Sequence, residues 1–272
     1  IKVMALMANI SLLAPLLGPV LGAFLIDYVS WHWGFVAIAL LALLSWVGLK
    51  KQMPSHKVSV TKQPFSYLFD DFKKVFSNRQ FLGLTLALPL VGMPLMLWIA
   101  LSPIILVDEL KLTSVQYGLA QFPVFLGLIV GNIVLIKIID RLALGKTVLI
   151  GLPIMLTGTL ILILGVVWQA YLIPCLLIGM TLICFGEGIS FSVLYRFALM
   201  SSEVSKGTVA AAVSMLLMTS FFAMIELVRY LYTQFHLWAF VLSAFAFIAL
   251  WFTQPRLALK REMQERVAQD LH

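Results

Sequence analysis

Two charged side chains stand deep inside the apolar runs of this 272-residue chain: Glu187 in FGEGIS, near the middle of its run, and Arg196 nearer the inner end. An ionised group at the centre of a bilayer costs about 3 kcal/mol on insertion scales and more in simulations, so each needs a reason to be there. Nine residues at about 100° each send the two side chains to opposite sides of an ideal helix, roughly 13 Å apart along its axis. They do not pair with each other. A carboxyl at position 187 can bind a proton or attract a cation; the alternative is hydrogen-bonded packing in a helix relaxed by Gly186 and Gly188. The stem of Arg196 is long enough to snorkel, which leaves structural and functional roles both open. Glu226 and Arg229, three residues apart, read as an interfacial pair.

A second pattern is steric. Pro15, Gly18, Pro19 and Gly22 interrupt an otherwise continuous apolar run, and their spacing puts all four on one helix face. Each proline frees a carbonyl one turn earlier and bends the helix, while the glycines let another helix approach closely. A third pattern is polar: Tyr117, Gln121 and Asn132 share a helix face, which should look into a bundle or cavity because polar groups facing lipid are costly. Beside it, Gly127 and Gly131 form a close-packing pair. No HExxH, GxSxG or paired-carboxylate arrangement is present, so an enzyme is disfavoured. Cys175 and Cys184 lie on opposite faces of one run, and no metal spacing or cofactor motif accompanies them.

The elements that must position these groups follow from composition. With 62% apolar and 11% charged residues and a mean hydropathy of +1.03, the chain is an all-α integral membrane protein. Hydrocarbon about 30 Å thick needs roughly 20 apolar residues per helix. Eight such runs are expected, near 3–27, 34–50, 81–107, 115–139, 147–168, 171–199, 207–228 and 237–254. They are too long and too continuously apolar for barrel strands.

Basic residues set the orientation. The loops near 28–33, 108–114, 168–171 and 229–236 hold only Lys111 and Arg229, whereas the loops of the other side and the tail hold all the rest apart from Arg196. Those loops and both chain ends are therefore expected in the cytoplasm. The net charge of +7 reports this topology, and no nucleic-acid role is implied.

The longest polar stretch, 51–80, reads as a cytoplasmic linker between two helices in 1–50 and a six-helix bundle in 81–254, with a tail over 255–272. Within it Phe65, Leu68, Phe69, Phe72 and Phe76 recur at helical spacing, as in an amphipathic helix on the inner membrane surface. A regulatory or partner-binding helix is the alternative. Paired six-helix halves would place such a divider after six spans; here it follows two, and the chain opens on Ile1 and Lys2, so the sequence is expected to be a fragment.

ALMANISLLAPLLGPVLGAFL followed by WHWGF, then PLMLWIALSPIIL, QYGLAQFPVFLGLIVGN and SKGTVAAAVSMLLM, together resemble the MdfA-type multidrug/proton antiporters of the major facilitator superfamily. The resemblance runs from Ile1 to about Trp251 and implies a partial major facilitator fold, about eight helices equivalent to spans five to twelve of twelve, in the bacterial inner membrane. It implies that the stripe of Pro15, Gly18, Pro19 and Gly22 is the antiporter motif sealing the two halves. It also implies a cavity for lipophilic drugs of the chloramphenicol class, lined here by Met7, Ser11, Leu12, Leu95, Met96, Ile99, Ser214, Met218 and Phe221. Methionine, unbranched and polarizable, suits a pocket for differently shaped hydrophobes; the same stripe is compatible with plain bundle core. Arg196 matches a family arginine, Glu187 has no acidic counterpart in the family, and IDRLALGKT looks like a degenerate loop motif. The expected activity is drug efflux against proton entry by alternating access, in a monomer without cofactor. The alternative is a facilitator-fold carrier of a sugar or metabolite, which would call for more polar cavity positions than the Leu, Met, Ile and Phe found here.

Overall fold

The computed structural model describes Gly18, Leu21, Gly22, Leu25 and residues 30–52, 65–138 and 144–252. Most of the first expected span, including Met7, Ser11, Leu12, Pro15 and Pro19, and also Asp140 and Arg141, lie outside the described residues.

Among the described residues Gly18, Leu21, Gly22 and Leu25 are helical, and eight α-helices come after them: α1 Trp31–Gln52, α2 Phe65–Ser77, α3 Arg79–Pro103, α4 Ser114–Ile138, α5 Leu144–Val167, α6 Leu172–Leu199, α7 Lys206–Phe235 and α8 Leu237–Phe252. Among them α1 and α3 to α7 contain six segments long and apolar enough to cross a membrane, while α8 is shorter. The expected spans from 34–50 onward therefore each fall on a helix. Two differ in extent. The run expected to end at 228 continues as helix to Phe235, because Glu226 and Arg229 pair at 3.7 Å along the helix surface, the exposed Tyr230 suits a membrane interface and Tyr232 is buried against the bundle. Only His236, with φ of 47°, turns the chain into α8. The C-terminal end of α3 widens after Pro103 into a π-turn over Ile104–Glu109, and π-turns were not legible in composition.

Six helices, α3 to α8, build one core with α6 at its centre. It packs most extensively on α5, then on α4 and α3, while α8 covers α3 and α5. Glycine explains the first two contacts. A Cβ on Gly158 would stand 2.6 Å from the carbonyl oxygen of Gly179, and one on Gly186 would stand 2.6 Å from that of Gly151, so α5 and α6 touch backbone to backbone. On the other side Gly127 and Gly131 of α4 meet the carbonyls of Thr181 and Phe185. The α3 contact is built differently, from large side chains: Phe191 of α6 and Phe221 of α7 close over Gly92 of α3 at 3.2 and 3.1 Å from where its Cβ would be.

At the N-terminal end of α3, Asn78 joins three elements. Its Oδ1 accepts from the backbone N–H of Gln80 and Phe81, capping α3, and its Nδ2 donates to the carbonyl of Ser201 at 2.9 Å, which fastens the turn between α6 and α7. The amphipathic helix expected in the linker is α2. Val75 is buried and Phe72 and Phe76 pack against the core, whereas Phe69 is 68% exposed. Part of the stripe thus seats on the bundle and leaves one phenylalanine facing outward.

Candidate functional site

Of the nine residues that the resemblance assigns to a drug cavity, six are described. Ile99 on α3 and Ser214 and Met218 on α7 are exposed, and Met96 is half-buried. Leu95 and Phe221 are buried in the bundle. Phe221 fills the space over Gly92, so its bulk serves the α3–α7 contact. On α7, Ser214 and Met218 stand one turn apart on an exposed face that also carries Thr219 and Phe222. A face mixing hydroxyls with a methionine suits a partly polar cavity better than lipid.

The polar face of α4 divides. Gln121 is buried, accepts a hydrogen bond from Trp98 Nε1 at 2.6 Å and donates from Nε2 to Ser102 Oγ at 3.2 Å. Tyr117 reaches the same serine at 3.4 Å. This end of the face looks into the bundle and ties α4 to α3; Trp98 also packs its ring on Phe240 of α8. Trp98 and Ser102 were not singled out in the sequence, although their four-residue spacing puts them on one face of α3. Farther along α4, Asn132 donates to the carbonyl of Leu128 and accepts from Ser192 Oγ at 3.2 Å. Ser192 and Arg196 are both exposed and one turn apart on α6, so Asn132, Ser192 and Arg196 give these two helices a polar, positively charged strip.

Glu187 lies elsewhere. Its side chain is 5% exposed, its Oε2 has no hydrogen-bond partner, and neither it nor Arg196 belongs to the three ion pairs among the described residues. The structure thus keeps the two charges apart, as their spacing requires, with the arginine on the surface and the carboxyl in the core. From the proline and glycine stripe, Gly18 and Gly22 are described; among the described residues a Cβ at either meets no atom within 4 Å. Helix α1 is likewise exposed along its length.

Comparison with known proteins agrees with this architecture. A family model described as Major Facilitator Superfamily matches residues 1–225. The chain is 37% identical over 233 residues to the multidrug transporter MdfA of Yersinia pestis bv. Antiqua (strain Angola), covering 85% of this chain and 57% of that protein. It is 39% identical over 232 residues to the MdfA of Escherichia coli O157:H7, covering 85% and 56%. The MdfA of Edwardsiella ictaluri (strain 93-146) is 38% identical over 231 residues, again covering 85% and 56%. The chain therefore spans little more than half the length of these curated relatives.

Proposed function

The chain belongs to the major facilitator superfamily, and on that premise we propose that it serves multidrug/proton antiport, moving lipophilic compounds out of a bacterium as protons enter. The observation that carries this reading is the exposed, apolar-to-amphipathic surface of the bundle formed by Ile99, Ser214 and Met218, in a chain 37% identical to a multidrug transporter over 85% of its length. Drug contacts on that surface are dispersive and adaptable, which permits many shapes at modest affinity. Met96 borders it, and Met7, Ser11 and Leu12 would complete the wall from the first span. The strip of Asn132, Ser192 and Arg196 supplies hydrogen-bonding capacity and positive charge toward the inner opening.

Alternating access would come from rocking of this bundle against the opposing half, with the proline and glycine stripe sealing the interface. Gly18 and Gly22 support that role, because their faces meet nothing within 4 Å and remain available to another helix. The inner membrane is the proposed location, with both ends of this chain in the cytoplasm and a monomer as the working unit. The test is drug susceptibility of an efflux-deficient bacterium expressing the protein from its natural reading frame. Resistance to lipophilic drugs that collapses with the proton gradient supports antiport; uptake of a sugar without any change in drug resistance refutes it.

A further inference from the structure

Glu187 is held at the centre of α6 by the two glycines beside it. A Cβ on Gly186 would stand 2.6 Å from the carbonyl oxygen of Gly151 on α5, and one on Gly188 would stand 2.5 Å from that of Leu128 on α4. Successive helical residues point about 100° apart, so the side chain of Glu187 can follow neither neighbour. It occupies the third face of α6, the one that Phe191 presents to Gly92 of α3 one turn farther on.

No charged partner among the described residues meets it there. The helices packed on α6 are α3, α4, α5 and α7, and their ionisable residues occupy positions toward the helix ends: Arg79, Asp108 and Glu109 on α3 and its π-turn, Tyr117 and Lys137 on α4, Lys146 on α5, and Lys206, Glu226, Arg229, Tyr230 and Tyr232 on α7. The 3₁₀ turn before α6 adds Tyr171 at the outer end, and α6 itself carries Cys184 one turn away, with Cys175, Tyr195 and Arg196 farther off. A carboxylate buried without a cation or several donors is costly, whereas the neutral acid is not.

The surrounding contacts say which motion could change that setting. Backbone-to-backbone contacts fix α6 to α4 and α5, each of which carries one internal proline, Pro123 and Pro153, while α3 carries three, Pro89, Pro94 and Pro103, and meets α6 through large side chains. Helices bend at proline. The α3 side is thus the face on which α6 can be uncovered.

We propose that Glu187 is a proton-binding site inside the six-helix unit, holding its proton while α3 is closed on α6 and releasing it to water when that contact opens. In release the carboxyl O–H bond breaks, water takes the proton as hydronium, and the carboxylate remains. The role in a transport cycle rests on the antiport reading; the binding of the proton does not.

Infrared difference spectra of the full chain in lipid nanodiscs, wild type against Glu187→Gln, test it without requiring transport. The expected result is a carboxylic-acid C=O band, absent from the Gln variant and kept in Glu187→Asp, that is lost reversibly as pH rises from about 5 to about 9 and shifts when the lipophilic cation tetraphenylphosphonium is added. If the Gln variant does not fold, ¹³C-glutamate labelling of wild type and of Glu187→Asp gives the same assignment, because the band carries the isotope shift in the wild type and not in the Asp variant. Absence of the band, or a band unchanged over the whole pH range, overturns the proposal. A band that titrates while tetraphenylphosphonium neither binds nor shifts it supports the proton site and overturns the antiport reading.

Discussion

Trp98 and Gln121 share a hydrogen bond of 2.6 Å in the buried seam between α3 and α4, with Ser102 as the third member. The amide has its oxygen and one N–H satisfied by groups that no solvent reaches. Removing one partner leaves the other buried and unpaired, which costs about 1–3 kcal/mol. Trp98→Phe and Gln121→Leu should therefore each lower thermal stability in detergent. The double variant should lose less than the sum of the two, because neither orphan then remains. Additive losses in a double-mutant cycle would show that the bond contributes nothing.

The drug-cavity assignments separate by burial. Leu95 and Phe221 are packed inside the bundle, while Ile99 and Met218 stand outside it. Leu95→Ala should cost about 2–5 kcal/mol and Phe221→Ala about 3–5 kcal/mol of stability. Ile99→Ala and Met218→Ala should leave unfolding nearly unchanged and alter which drugs are resisted. Resistance profiles at matched expression, set beside melting temperatures, check this; an unchanged drug profile for both exposed variants would remove them from the cavity.

Topology follows from the helix ends together with the lysines and arginines. Reporter fusions at Leu112, between the π-turn and α4, and at Ala170, between α5 and α6, should read periplasmic. Fusions at Ser55 and at the C-terminus should read cytoplasmic. A cytoplasmic signal at Ala170 would contradict the orientation.

The helices were legible because apolar run length is a direct physical requirement of a bilayer, and the bundle-facing side of α4 because a polar residue must find a partner. The pairing of Glu226 with Arg229 needed only three-residue spacing and is present at 3.7 Å. What one sequence does not encode locally is which face of a helix meets which neighbour. Leu95 and Met96 are adjacent and equally apolar, yet one is core and the other borders the surface. The burial of Glu187 was equally hidden: its flanking glycines suggest relaxed packing, but only the fold shows each of them closed against a different helix. Asn78 carried no signal of its link to Ser201, 123 residues away.

Glycines of two kinds are distinguished by what a side chain would meet. At Gly158 a Cβ would lie 2.6 Å from the carbonyl oxygen of Gly179 and 2.9 Å from Ile183 Cγ1, whereas at Gly18 it would meet nothing within 4 Å. A backbone carbonyl cannot swing aside as a side chain can, so Gly158→Leu must push α5 off α6, and overpacking of this kind costs about 1–3 kcal/mol or more. The expected result is loss of folded protein, seen as low yield and early aggregation on size-exclusion chromatography. Gly18→Leu leaves this bundle unstrained, and its effect should appear only in function, where a branched side chain on the proposed sealing stripe would hold the two halves apart. Folded Gly18→Leu protein should accordingly bind drug yet confer much less resistance than wild type. Full resistance at matched expression would show that the stripe tolerates bulk and seals nothing, and a well-folded Gly158→Leu protein would show that the α5–α6 contact is looser than its geometry.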